Sequence, residues 1–99
     1  MGIRVVLQRE DGSELASVED VRDLLHRALP GPGKGFVWAS TIDLYGDTVF
    51  NHLQAEQLRS EWERLIQQSS DSQTLVLLHR VSELLDQCSE HCYLKFYGD

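Results

Sequence analysis

The chain has 99 residues, of which 41% are hydrophobic and 25% charged, a composition typical of one ordinary globular domain rather than of a disordered chain. Its 9 basic and 16 acidic residues give a formal net charge of −7, which argues against binding to nucleic acid or anionic membranes, because such binding depends on Lys and Arg. The sequence contains neither the pattern of an export signal nor an apolar run long enough to span a membrane. We therefore expect a single domain, residues 1–99, in the cytoplasm.

A β-hairpin is predicted first. Ile3, Val5 and Leu7 alternate with polar neighbours, as in a strand with one buried face. Asp11-Gly12 is a dipeptide that tolerates the positive φ of a tight turn. The second strand, around residues 14–17, has a weaker pattern and is expected to be short.

A helix is predicted to follow the hairpin. Ser17 and Asp20 have the spacing of a capping box, with Asp in place of the usual Glu or Gln, so the helix should begin near Val18. Apolar residues then recur on one helical face as far as Leu29. The segment PGPGKG at 30–35 should end this helix, because proline lacks the backbone donor that a helix needs.

The segment FVWASTI at 36–42 is rich in residues that favour strands and is apolar on both faces, so it predicts the central strand of a sheet. Asn51 and Gln54 then form a capping-box pattern at the start of a second helix. The apolar residues that share one face of this helix are Ala55, Leu58, Trp62, Leu65 and Ile66.

A third helix and a final strand complete the predicted fold. Ser70 and Gln73 indicate another capping box, before a helix from about residue 72 to 90. The apolar face of this helix is formed by Leu77, Leu78, Val81, Leu84, Leu85 and Cys88. The segment YLKFY at 93–97 predicts a strand that returns to the sheet. The expected fold is α+β, a small sheet of three to four strands packed with three helices in the order β-(β)-α-β-α-α-β.

The two cysteines raise the question of a metal site. Cys88, His91 and Cys92 are spaced so that two thiolates and one imidazole could approach a metal ion. The helical pattern instead places both cysteines on the apolar face, and a structural zinc site needs a fourth ligand. We therefore expect reduced cysteines that pack in the core, with no metal and no cofactor.

No recognisable catalytic motif is present. The sequence lacks a nucleophile elbow, a Walker or Rossmann phosphate loop and an HExxH zinc motif. The glycine-rich segment at 31–35 contains a Lys, but it follows a helix and precedes a strand, the reverse of the order that directs backbone amides at a phosphate. The motifs therefore favour a function other than catalysis.

One segment between an apparent strand and a helix concentrates polar side chains around a glycine. The candidate binding residues in this segment are Asp43, Tyr45, Gly46, Asp47, Thr48 and Asn51. Ligands tend to bind at the carboxyl end of a central strand in α/β sheets, which favours a binding site here. In the structural alternative, Asp47 and Thr48 bond to nearby backbone amides, Gly46 takes a positive φ and Asn51 caps the following helix. The structural interpretation is preferred, because so short a chain can enclose little of a ligand.

A resemblance to known proteins rests on this segment. IDLYGDTVFNHLQ at 42–54, the amphipathic helix after it and the final YLKFYGD resemble the signature I-D-x-Y-G-D-T-V-F-N of a group of small, uncharacterised bacterial proteins. The likeness covers the chain from about residue 40 to its end. The group has no known activity, cofactor or catalytic residue, so the resemblance implies only a bacterial, cytoplasmic origin.

Three hypotheses about function follow from these patterns. The leading one is a small, acidic, cytoplasmic domain that binds another protein, in the manner of an immunity protein or a regulatory inhibitor, without catalysis of its own. Its interface should include acidic helix residues such as Glu56, Glu61 and Glu63 and the loop Asp43–Asn51. The alternatives are a small ligand-binding domain or enzyme with its site on that loop and His52, and a homodimeric structural protein.

Overall fold

A computed structural model describes residues 2–98 of the chain, with four strands and three helices. In chain order the elements are β1 (Arg4–Arg9), β2 (Glu14–Glu19), α1 (Leu24–Ala28), a single 3-10 turn (Ala39–Thr41), β3 (Asp47–Asn51), α2 (His52–Gln68), α3 (Ser72–Gln87) and β4 (Cys92–Tyr97). The order β-β-α-β-α-α-β confirms the predicted α+β class. Among the described residues, no helix is long and apolar enough to cross a membrane.

The four strands form one antiparallel sheet in the order β2-β1-β4-β3. Alternate residues of the two central strands, such as Val5 and Phe96, are fully buried in the core with α2 and α3. Their neighbours Arg4 and Tyr97, which pair across β1 and β4, lie on the opposite face of the sheet. Because β4 inserts between β1 and β3, the strands β2 and β3 occupy the two edges.

The predicted central strand at 36–42 is wrong. This segment is a loop that contains the 3-10 turn, and the strand of the sheet is β3, several residues later. Three of its apolar residues, Phe36, Ala39 and Ile42, are nevertheless buried in the core, whereas Val37 is 69% exposed. The sequence pattern therefore identified three core residues correctly, but it assigned the segment the wrong backbone conformation and overestimated its burial.

A carboxylate from α2 holds this loop in place. The backbone N–H groups of Val37, Trp38 and Ala39 all donate to the Glu61 carboxylate, at donor–acceptor distances of 2.7 to 3.1 Å. Arg64, one turn later, donates to the carbonyl oxygen of Gly35 at 2.6 Å. Glu61 therefore satisfies amides that would otherwise need a strand partner. Glu61, which was expected among the acidic residues of a partner interface, is thus bonded to a loop of its own chain.

The first helix begins later than predicted. Val18, the expected start of the helix, lies in β2 and pairs with Val5 of β1. β2 continues to Glu19, and α1 starts only at Leu24 and is five residues long. The apolar side chain of Val18 is buried in the core, but it packs there from a strand of the sheet and not from a helix.

The predicted capping box at Ser17 and Asp20 is also wrong, but Asp20 does bond to the helix. Its carboxylate accepts from the backbone N–H groups of Leu25 and His26, at 2.8 and 3.0 Å. Between Asp20 and α1 the chain turns through Arg22 and Asp23, whose φ angles of 53° and 58° are uncommon for residues other than glycine. This left-handed turn shortens the helix at its start.

The two later helix starts give one correct and one shifted prediction. The capping box at Asn51 is confirmed: the Asn51 side chain accepts from Gln54 N–H, and the Gln54 side chain accepts from Asn51 N–H, each at 2.9 Å. For α3 the cap is Asp71 and not Ser70. Asp71 accepts from the backbone N–H of Thr74 at 3.0 Å.

The apolar faces predicted for α2 and α3 are confirmed. The buried members are Ala55, Leu58, Trp62, Leu65, Leu77, Leu78, Val81, Leu84 and Leu85, and Ile66 packs against them partly buried. Trp62 lies at the centre of this core, where its Nε1–H donates to the carbonyl oxygen of Leu78 at 2.8 Å. Its ring centroid is 6.1 Å from that of Phe96 on β4.

Both cysteines are reduced and buried, which confirms their prediction as core residues. Because α3 ends at Gln87, earlier than predicted, Cys88 follows the helix as its C-cap and Cys92 begins β4. Burial, and secondarily the proximity of Cys92, raises the pKa of the Cys88 thiol to about 11. Cys88 is therefore a neutral, weakly reactive thiol at neutral pH.

Candidate functional site

The candidate residues lie in the turn before β3 and along β3. Asp43 to Gly46 form the turn, Asp47 and Thr48 begin the strand, and Asn51 ends it and caps α2. The sequence placed this segment after a central strand, at the carboxyl end where ligands often bind. The structure instead places it at one side of the sheet, because β3 is an edge strand.

Hydrogen bonds within the segment fix the turn. The backbone N–H of Tyr45 donates to Asp43 Oδ1 at 2.9 Å, a typical Asx turn. The backbone N–H of Asp43 donates to Thr48 Oγ1, also at 2.9 Å. The backbone bond predicted for Thr48 is therefore present, and Asp43 makes the bond to a backbone amide that was predicted for Asp47. Gly46 does not have the predicted positive φ.

The glycine of the candidate site lies against the end of β4. The backbone N–H of Gly98 donates to the carbonyl oxygen of Gly46 at 2.7 Å. A Cβ atom on Gly98 would come within 2.6 Å of the Gly46 nitrogen, and one on Gly46 within 2.7 Å of Asp43 Oδ2. Neither position can hold a larger side chain without movement of its neighbours, so the turn and the end of β4 pack closely.

Asp47 has a cationic neighbour on the adjacent strand. Its Oδ2 atom lies 3.7 Å from Lys95 Nζ, and the Lys95 ammonium in turn lies 4.5 Å from the ring centroid of Tyr97. The carboxylate is solvent-exposed, so this pair contributes little to stability. Asp47 is consequently accessible to another molecule.

Two apolar side chains beside these acids are exposed. Tyr45 has 72% of its surface in solvent, and Val49, in the middle of β3, has 50%. The Tyr45 ring makes an edge-to-face contact with His26, at a centroid distance of 6.1 Å. Sequence reasoning did not select Val49, because an apolar residue in an alternating segment is indistinguishable from a core residue until the neighbouring strands are known.

Four clefts among residues 2–98 do not coincide with the main candidate residues. The four clefts have volumes of about 530, 490, 280 and 270 Å³. Asp43, Tyr45 and Asp47 line none of the four, whereas Asn51 and His52 line the cleft of 280 Å³. The candidate residues are thus divided between an open strand edge and a separate shallow cleft, and together they do not form a pocket for general acid–base catalysis.

His91 lies in that second region, beside the start of β4. Its Nδ1 atom is 2.9 Å from Glu10 Oε1, and both groups are exposed. The residue has a φ of 71°, in the left-handed region. Among residues 2–98 no group of three or more His, Cys, Asp or Glu side chains is arranged to hold a metal ion.

Glu10→Gln is expected to lower the pKa of His91. The hydrogen bond and charge of Glu10, with the charge of Glu90, raise the pKa of this imidazole above its ordinary 6.5. A raised folded-state pKa adds stability that is fully present below the unfolded-state pKa and is lost as the pH rises through the folded-state value. NMR titration of the His91 ring protons would measure the change, and Glu90→Gln, which acts through charge alone, should lower the pKa less. An unchanged pKa in Glu10→Gln would contradict the ion pair.

The comparisons with known proteins give no relative from which a function could be transferred. No family model, curated protein or solved structure matches the chain. The functional interpretation therefore depends on the chemistry and geometry of the chain itself.

Proposed function

We propose that this chain is a small acidic domain that binds another protein, in the manner of an immunity protein or a regulatory inhibitor, and that it has no catalysis of its own. The observation that carries the proposal is the exposed surface along β3. We call it the β3 edge surface, and it comprises Asp43, Tyr45, Asp47 and Val49. It combines an exposed tyrosine and valine with two accessible carboxylates.

The composition of the β3 edge surface supports protein binding. Tyrosine is enriched in protein interfaces, since it buries a large area at a low cost in conformational entropy. The carboxylates of Asp43 and Asp47 suit a basic partner, and the net charge of −7 would accelerate its approach. The position of these residues outside the four clefts supports binding of a macromolecule over a small substrate.

The setting proposed for this activity is the bacterial cytoplasm. The support is the resemblance of the segment at 42–54 to small bacterial proteins, together with two reduced cysteines that need no oxidising compartment. The partner would then be a cytoplasmic protein with a basic contact surface.

Affinity capture from source-cell lysate tests the proposal. The baits are the wild-type chain, Tyr45→Ala, Val49→Ser and the control Val76→Ser, which changes an equally exposed valine on α3. We expect one stoichiometric protein that is retained by wild type and control, and is lost with both changes on the β3 edge surface. Absence of a partner, or equal capture by all four folded baits, would contradict the proposal.

The salt dependence of association tests the electrostatic part separately. With the captured protein purified, the association rate should fall as ionic strength rises, because screening weakens attraction between exposed charges. An association rate that is independent of salt would contradict an acidic contact surface.

A further inference from the structure

The register of β3 against β4 determines which of its backbone groups are unpaired. The hydrogen bond from Gly98 N–H to the Gly46 carbonyl makes these two residues a hydrogen-bonded pair. Antiparallel strands alternate such pairs with non-bonded ones, so Thr48 and Phe50 also face β4. The N–H and C=O groups of Asp47 and Val49 therefore point away from the sheet.

These four backbone groups have no partner within residues 2–98. β3 pairs with β4 alone, and no other backbone hydrogen bond involves Asp47 or Val49. The next outward N–H along the strand, that of Asn51, is already bonded to the Gln54 side chain. The unpaired part of the β3 edge is thus limited to the backbone groups of Asp47 and Val49.

The opposite edge of the sheet carries a bulge and two ion-paired carboxylates, whereas β3 pairs with β4 without a register shift and carries one carboxylate, Asp47. Between Leu7 and Gln8 of β1 the pairing with β2 shifts by one residue, a bulge that disturbs a regular edge. β2 also carries Glu14 and Glu19, which form ion pairs with Arg4 at 2.9 and 3.7 Å. Bulges and charges are the devices by which edge strands avoid new strand partners. Of the two edge strands, β3 is therefore better able to pair with an added strand.

We propose that β3 binds an extended segment of a partner protein as a fifth strand of the sheet. This inference rests on the proposed function and specifies its mode. The residue of the added strand opposite Val49 would lie on the same face as the exposed valine, so an apolar residue fits there. Two residues along, the side chain opposite Asp47 should be Lys or Arg. The recognised segment therefore has an apolar residue two positions from a basic one.

Selection from a random peptide library tests this mode with the full chain as bait. We expect enrichment of peptides with an apolar residue two positions from Lys or Arg. Val49→Pro should lower the affinity for a selected synthetic peptide by about tenfold or more, because the change removes an outward N–H that the added strand needs. Proline is tolerated at an edge position that donates no bond within the sheet, so the fold should persist. Val49→Ile keeps both the N–H and the apolar side chain and is the matched control.

Amide hydrogen exchange gives an independent signature. In the free chain the amides of Thr48 and Phe50 should exchange slowly and those of Asp47 and Val49 rapidly. Bound peptide should slow exchange at Asp47 and Val49. Unchanged exchange there would overturn strand addition, whatever the affinity.

The outcomes separate this inference from the proposed function. Selected peptides could bind Tyr45→Ala less tightly than wild type but bind Val49→Pro as tightly as wild type. Strand addition would then be wrong, and the proposal that the β3 edge surface binds a protein would be retained. If no selected peptide is sensitive to changes on the β3 edge surface, both proposals fail. If the chain is a dimer in light scattering and Val49→Pro is a monomer, a second copy occupies the edge, and the inference of a partner segment is overturned.

Discussion

Trp62→Ala is expected to lower the free energy of unfolding by about 3–5 kcal/mol, as for other fully buried aromatic residues. Trp62 has no exposed surface and lies between α3 and the central strand β4. Truncation would remove the indole contacts with Phe96 and the hydrogen bond to the Leu78 carbonyl. It would also leave a cavity where sheet and helices meet, because packed neighbours relax only partly into such a space.

Denaturant unfolding measures this effect as a change in the midpoint at constant m value. Leu53→Ala is the control, since it lies on the same helix with 61% of its surface exposed and should change stability by no more than about 0.5 kcal/mol. If Trp62→Ala does not fold, Trp62→Phe supplies the measurement. It keeps an aromatic ring but loses the N–H donor, for an expected cost of about 1–2 kcal/mol. A negligible cost in both variants would contradict the central position of this side chain.

Glu61→Ala is expected to lower the free energy of unfolding by about 2–3 kcal/mol, which is large for a charged residue on a helix. Its carboxylate accepts from the amides of Val37, Trp38 and Ala39, two of which are partly buried. Removal of the carboxylate leaves these donors without an acceptor and releases the loop that buries Phe36 and Ile42.

Two further variants isolate the cause. Glu63→Ala removes an exposed acid two residues away on the same helix, and it should change stability by no more than about 0.5 kcal/mol. Glu61→Gln keeps one acceptor oxygen without the charge, so its cost should lie between the other two. If Glu61→Ala weakened partner binding and left stability unchanged, Glu61 would be a contact residue of the acidic surface and not the anchor of the loop.

The wrongly predicted third strand shows that a local sequence pattern does not by itself decide which segment forms a strand. FVWASTI has strong strand propensity, yet its amides bond to Glu61 and its apolar side chains fill the side of the core. DTVFN at 47–51 forms the strand instead, because it pairs with β4. Strand propensity measures the fit to a pleated, half-buried surface, and that surface is created by segments distant in the sequence.

The local contacts of the candidate segment were only partly predictable from the sequence. The polar residues of the segment at 43–51 were recognisable, and the helix cap at Asn51 was correctly identified. Their arrangement beside an open strand edge was not predictable, nor was the exposure of Val49. Both follow from the insertion of β4 between β1 and β3, which no local pattern encodes.

The sequence by itself determined the order of the elements, the buried faces of α2 and α3, and the strands β1 and β4. These features depend on periodicity and capping within a few residues, where side-chain spacing dictates burial. Only the tertiary structure decided which segment became β3, that Val18 joined a strand, and that Glu61 bound a loop. Each of these outcomes depends on hydrogen bonds between segments far apart in the chain, and the free groups of Asp47 and Val49 exist because that pairing ends at β3.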